Sequence, residues 1–345
     1  MKVRFFDPGL GYRKIKSEID EEVQRVFSEG KMILQEDVEK FEESFAQFVG
    51  TKYAVGVNSG TDAMYLSLWA LGCNKNSTLL TSGHTFVASL EVGRQLGGSV
   101  GLVDIDNEAM MDTSELQMKK ADFIIPVSMM GEMPDMKTIT EYANKIGATV
   151  IEDSCQGLGA ERNGRKAGAW GATGCFSFYP AKILGCYGDG GAITTNDKDV
   201  YDKLINLRNH YKPTYSNWGI NSRLDNVQAA ILNVKMKYLP SAIERRKEVA
   251  ERYLKALPSP VGLPHNRAGR VWQDFVIVVS DRDALQKFLS SVGIQTMIND
   301  YEFPVPKPPK SLLFEKLTLR IPCNEVLTDD EVGYVIEKIN EYYRK

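Results

Sequence analysis

Residues 176–195, FSFYPAKILGCYGDGGAITT, place one lysine, Lys182, between an apolar run (Cys175 to Phe178) and a cluster of Gly185, Gly188, Gly190 and Gly191. The apolar run reads as a strand. Apolar neighbours desolvate an ammonium group and lower its pKa, which a nucleophilic or Schiff-base lysine needs. The glycines let backbone pass close to a neighbour and supply unusual dihedrals. These residues alone also fit a turn lysine beside a glycine-rich hairpin.

Outward from this stretch the chain alternates. A strand over 53–57 leads into Asn58-Ser59-Gly60-Thr61, and a helix starts near Thr61. A helix N-terminus after a small polar turn is an anion site, because its first N–H groups have no intrahelical partner and the dipole favours negative charge. A plain N-cap gives the same sequence. Strands over 78–81, 100–103, 122–127 and 149–152 then alternate with helices over 86–96, 113–119 and 135–146. This rhythm, with near-continuous apolar strands, predicts a mostly parallel sheet covered by helices, an α/β fold. In such sheets ligands bind at the carboxyl ends of the strands. His84-Thr85-Phe86, Asp153 and Gln156 fall there. A carboxylate after ATVIE is costly to bury unless a cation meets it. Asp153 is therefore a salt-bridge or capping residue, or a carboxylate aimed at a ligand nitrogen. Phe86 is core filler or a ring stacked on a planar ligand.

Helices are expected over 13–28 and 36–48, with apolar residues at helical spacing and no assigned chemistry. After Thr195 come a helix over 198–208, a Tyr/Pro/Asn/Gly-rich loop and a long helix from Leu224 to about 256, with a break expected at Pro240. PSPVGLPH follows it. The remainder predicts a small α+β domain: strand 272–280, helix 282–292, strand 294–297, a rigid Pro-rich loop (FPVPKPPK), strand 318–321 and helix 328–343. The division is 1–240 for a large domain and 241–345 for the small one.

Composition narrows the function classes. At 345 residues the chain is long enough for two domains, and 43% hydrophobic with 25% charged residues is ordinary for a globular protein. A net charge of −3 supplies no basic field for nucleic acid or a membrane surface. No apolar run approaches a membrane span, and the N-terminus lacks a signal-peptide h-region. Five scattered cysteines without a CxxC pair read as reduced core thiols of a cytoplasmic protein. With three histidines, none at metal-ligand spacing, no metal site is expected.

A strand-end lysine, a strand-end carboxylate, an anion site and an aromatic ring together suit one ligand, pyridoxal 5′-phosphate (PLP). Lysine forms the imine, aspartate keeps the pyridine nitrogen protonated, the helix start holds phosphate, and the ring stacks.

Across nearly its whole length the chain also resembles the DegT/DnrJ/EryC1/StrS sugar aminotransferases. The matching runs include NSGTDAMYLSL, SGHTFVAS, VDID, VIEDSCQGLGA, GCFSFYPAKILGCYGDGGAITTND and GINSRLDNVQAAIL. The resemblance implies the aspartate aminotransferase-like, fold type I architecture, with Lys182 carrying PLP. It implies Asp153 at the pyridine nitrogen, Gln156 near the phenolic oxygen and Phe86 stacked on the ring. Gly60, Thr61, the Asp62 backbone and Ser177 would bind phosphate. Asn221 at phosphate and Arg223 near substrate would reach into the neighbouring subunit's active site, which requires a homodimer. The implied reaction moves an amino group from L-glutamate to a nucleotide-linked keto sugar, 3- or 4-keto and UDP- or dTDP-linked, for O-antigen or other glycan amino sugars. Lys182 would be the general acid/base in both halves. Where relatives place Asn or Pro after the lysine, this chain has Ile183, and Pro308 stands where relatives often have His. A cyclitol or aminobenzoate-type synthase would share the cofactor residues. So would a catalytically silent PLP-binding regulator. The 3-dehydratase branch puts histidine at the lysine position, against Lys182.

Overall fold

The computed structural model describes residues 1–299 and 302–344. Three helices lead in: α1 (Pro8–Lys14), α2 (Lys16–Glu29) and α3 (Glu36–Val49). The expected helix over 13–28 is thus split. Ile15, at φ −127°, leaves helical geometry and caps both pieces.

The alternating region follows as β1 (Tyr53–Val57), α4 (Gly60–Ala70), β2 (Thr78–Ser82), α5 (Ala88–Gln95), β3 (Ser99–Val103), α6 (Thr113–Leu116), β4 (Phe123–Ile125), α7 (Met136–Ile146) and β5 (Thr149–Asp153). A small hairpin, β6 (Glu161–Arg162) and β7 (Arg165–Lys166), precedes β8 (Thr173–Ser177) and β9 (Gly191–Thr195). Seven of these strands form one sheet in the order β1-β9-β8-β5-β4-β2-β3. Only β9 runs against its neighbours. The expected α/β class and parallel sheet are observed.

Alternation along the strands builds two cores, one per face. Val150 and Phe176 pack with α3, α7 and α9 residues such as Phe41, Phe45, Ile139 and Leu232. Their neighbours Ile151 and Cys175 face the other way, toward Ala63 and Met64 of α4, Val92 of α5 and Leu204 of α8. Side chains alternate with period two. Glu152 and Asp153 therefore point to opposite faces, with Asp153 on the α4/α5 side.

The chain continues through α8 (Lys198–Leu207), α9 (Asn226–Met236), α10 (Leu239–Ala256), β10 (Phe275–Val278), α11 (Arg282–Ser291), α12 (Pro309–Leu317), β11 (Thr318–Ile321) and α13 (Asp329–Tyr343). The anticipated break falls just before Pro240, which takes an early position in α10 where its missing N–H costs nothing. Residues of α10, β10, α11, β11 and α13 form a separate apolar core, joined by Val3 from the N-terminus.

Three further expected elements differ. The strand over 294–297 is absent as a ladder. Ile294 bridges Val3 while Met297 bridges Arg320, so the segment crosses between partners without running along either. The Pro-rich segment is a loop only to Pro308. Pro309 opens α12, where Asp104 of the VDID run accepts the Lys310 and Ser311 N–H groups at 2.9 and 2.8 Å. The helix expected over 113–119 is the single turn α6. Among the described residues no helix is long and apolar enough to cross a membrane.

Candidate active site

A cleft of about 650 Å³ lies at the carboxyl ends of β5 and β8, between the sheet and the C-terminal core. It gathers Gly60, Thr61, Phe86, Asp153, Gln156, Ser177 and Lys182. These come from four separate sequence runs, and the crossover topology delivers each at a strand end.

The α4 start forms one wall. Ser59 caps the helix by accepting the Asp62 N–H at 3.1 Å. Gly60 and Thr61 supply the first two N–H groups, which an α-helix leaves without an internal partner. A Cβ on Gly60 would lie 2.7 Å from Cys155 Sγ and 2.9 Å from Ser177 Cβ. Glycine there lets the helix end close on the tips of the strands. Gly191 does the same from the other side, since a Cβ would meet the Ser59 backbone at 2.4 Å. The glycine cluster of the opening stretch thus serves close approach.

Asp153 ends β5 and is only 4% exposed. Its carboxylate accepts from Ser89 Oγ at 2.6 Å and from the Cys155 N–H at 3.2 Å. Ser89 also bonds Thr85 at 2.7 Å. Both side-chain and backbone donors are neutral, so a cation in the cleft would complete the site. Gln156 is aimed by its carbonyl, which accepts the Met130 N–H at 2.9 Å. Phe86 presents its ring to the cleft at 48% exposure. Lys182 lies half-buried in a turn closed by its N–H to Tyr179 O at 2.8 Å. Cys155 lines the cleft, so not every cysteine is a core thiol. Desolvation and Asp153 push that thiol well above its ordinary range, against the pull of Lys182.

Three expected residues do not line this cleft. The Asp62 side chain accepts from Ser222 Oγ at 2.6 Å. Asn221 is exposed, and its backbone bridges Asn209. Arg223 donates to Asn209 Oδ1 at 3.0 Å. His84, flagged at a strand end, is buried behind the site against Glu315 and Phe314 of α12.

Several cleft residues have no counterpart in the sequence reading. Tyr179, just ahead of the lysine, is 55% exposed there. From the C-terminal core come Arg246, Gln273, Asp274 and Arg320, and from the N-terminus Phe5 and Phe6. Arg246 bonds Glu325 at 2.9 Å and the Gln273 and Cys323 carbonyls at 2.9 and 3.0 Å. Burial pushes the Glu325 carboxyl up, but Arg246, a backbone hydrogen bond and Lys235 together make the net shift downward. Arg320 pairs with Asp274 and donates to Asn299 Oδ1 at 2.9 Å. The polar pair Gln273-Asp274 directly ahead of the apolar run FVIV was the available signal. Glu152, on the far face, accepts from the Gly168, Trp170 and Gly171 N–H groups at 2.9, 2.6 and 2.8 Å. Burial nonetheless pushes its carboxyl up to about 7.

The DegT/DnrJ/EryC1/StrS aminotransferase family model matches residues 13–340. The chain is 34% identical to a pleiotropic regulatory protein of Geobacillus stearothermophilus, over 100% of this chain and 99% of that one. It is 33% identical to a dTDP-3-amino-3,4,6-trideoxy-alpha-D-glucose transaminase of Streptomyces venezuelae, over 99% and 96%. The crystal structure of S. venezuelae DesV superposes with a TM-score of 0.94 at 32% identity, covering 100% of this chain and 99% of that one. With the lysine, carboxylate and helix start gathered in one cleft, the chain belongs to the DegT/DnrJ/EryC1/StrS aminotransferase family.

Proposed function

We propose that this chain is a PLP-dependent aminotransferase that moves the amino group of L-glutamate to a nucleotide-linked keto sugar, as amino-sugar and glycan biosynthesis requires. One observation carries the reading: Lys182, Asp153, the α4 start and the Phe86 ring line a single cleft. The residues suit the cofactor. The buried Asp153 carboxylate, met by neutral donors among the described residues, matches a protonated pyridine nitrogen, and the close approach at Gly60 leaves a cradle of N–H groups for phosphate.

When bound, PLP supplies an electron sink for the carbanion left by deprotonation next to nitrogen. Asp153 would hold a proton at the ring nitrogen. Gly60, Thr61 and Ser177 would bind the phosphate, and Phe86 would cover the ring. In this chain the Asp62 N–H is already engaged by Ser59, so its part is to set the helix start. Gln156 faces the phenolic oxygen. Lys182 Nζ would take the proton from the α-carbon of glutamate and, with the keto sugar, would return a proton to the sugar carbon that receives the amine.

In this reading the cleft separates a PLP-binding domain over 1–240 from a C-terminal domain over 241–345, with Val3 packed into the latter's core. Asn221 and Arg223, away from the cleft of their own chain, serve the cleft of a second copy in a homodimer. The protein acts in the cytoplasm, which five unpaired cysteines support. The test is a panel of UDP-, dTDP- and GDP-linked 3-keto and 4-keto sugars with glutamate, following 2-oxoglutarate. Turnover with one of them is expected. PLP uptake without turnover of any would favour a regulatory role, the reading that the Geobacillus relative's name attaches to that protein.

A further inference from the structure

Lys182 is held from across the cleft. The Gln273 side chain, 7% exposed, forks around it: Gln273 Nε2 donates to Ala181 O at 3.0 Å, and Gln273 Oε1 accepts the Ile183 N–H at 3.1 Å. One amide therefore bonds the backbone immediately before and after the lysine. Gln273 belongs to the segment leading into β10, so the clamp links the C-terminal core to the lysine turn.

The segment carrying Gln273 is itself fixed at some cost. Trp272 has φ +54°, a region a bulky side chain rarely adopts. It is 1% exposed, stacked on Phe275 at 5.4 Å, with Arg270 over its ring at 4.1 Å. Arg246 holds the Gln273 carbonyl at 2.9 Å. On the other side, Val271 N donates to Gly131 O at 3.0 Å, and a Cβ on Gly131 would lie 2.6 Å from the Trp272 and Gln273 nitrogens. Backbone strain persists only where surroundings enforce it, and it concentrates at functional sites. Here the strained residue is the one that turns Gln273 toward the lysine.

We propose that Gln273 is a positioning residue for Lys182. It fixes the lysine's backbone on both sides, so that Nζ alone moves when the side chain swings between partners in proton transfer. The role rests on the aminotransferase reading above. Gln273 acts through the backbone on either side of Lys182.

The experiment compares Gln273→Leu, Gln273→Glu and, as a control for stability alone, Val335→Ala in the C-terminal core, all loaded with PLP. The readouts are the pH titration of the visible band of the lysine-bound cofactor, the single-turnover rate with glutamate, and the glutamate KM. Gln273→Leu is expected to shift the titration midpoint and slow the single turnover by about 10–100-fold, the scale of a small misplacement, with KM little changed. Gln273→Glu keeps the acceptor for Ile183 and falls between. Val335→Ala loses thermal stability but keeps the wild-type titration and rate. The proposal is overturned if Gln273→Leu titrates and turns over as wild type, or if Val335→Ala shifts both as much. Wild-type protein without a visible band would overturn the aminotransferase reading and this role together, whereas a wild-type band with an unaltered Gln273→Leu variant overturns the role alone.

Discussion

The two walls of the cleft are built differently. The sheet wall is made of chain ends: the start of α4, the tips of β5 and β8, and a turn carrying Lys182. Its key groups are backbone N–H donors and side chains placed within a few residues of a strand end. The opposite wall is made of side chains locked by long-range ion pairs, Arg246 with Glu325 and Arg320 with Asp274. The difference teaches that the chemistry sits on the sheet wall, while the opposite wall steadies it through Gln273. The other wall supplies rigidity and shape. Substitutions on the sheet wall should therefore cost activity first, and substitutions opposite, Gln273 apart, should cost stability first.

The sharpest break of that contrast is Lys182→Ala. Removing the acid/base should lower transamination by about 10⁴-fold or more while leaving the melting temperature nearly unchanged. Activity assays beside thermal melts check both halves of the claim. Opposite it, Arg246→Met removes the buried guanidinium that bonds the half-buried Glu325 carboxylate and the Gln273 and Cys323 carbonyls. That should cost about 1–3 kcal/mol of stability, read by denaturant unfolding. A loss of activity from Arg246→Met with unchanged stability would invert the comparison.

Smaller effects sharpen it. Burial holds the Glu152 carboxyl at about 7, above its unfolded value, so the folded chain keeps a proton the unfolded chain has released. Its contribution is full below the unfolded pKa and is lost as pH rises to about 7, worth about 3 kcal/mol at most. Glu152→Gln should flatten the pH dependence of the melting temperature between pH 5 and 7 (about that window, from these limits). Gly60→Ala forces a Cβ against Cys155 and Ser177. Overpacking of about 1–3 kcal/mol would open the helix start and weaken PLP retention by about 10-fold, measured by dialysis of the loaded protein.

Most of the sheet wall was legible in the sequence. Asp153, Gln156, Phe86 and Ser177 stand beside strands with clear apolar periodicity, and strand ends in a parallel sheet share one edge. The opposite wall was not. Gln273 and Arg246 reach Ile183 and Glu325 across 90 and 79 residues, and no local pattern encodes which partner a side chain finds. α12 was missed because Pro309 reads as a breaker until Asp104, far back in the chain, caps the helix. His84 looked like a site residue by position, yet α12 covers it.

The central claim is that Lys182 is the group that bears the cofactor and transfers the proton. Its most direct test is borohydride reduction of the PLP-loaded protein followed by peptide mapping, with and without prior glutamate. The account predicts a single pyridoxyl label on Lys182 that glutamate removes, with release of 2-oxoglutarate. A label on another lysine, or a Lys182 label that persists in excess glutamate without 2-oxoglutarate, would contradict it.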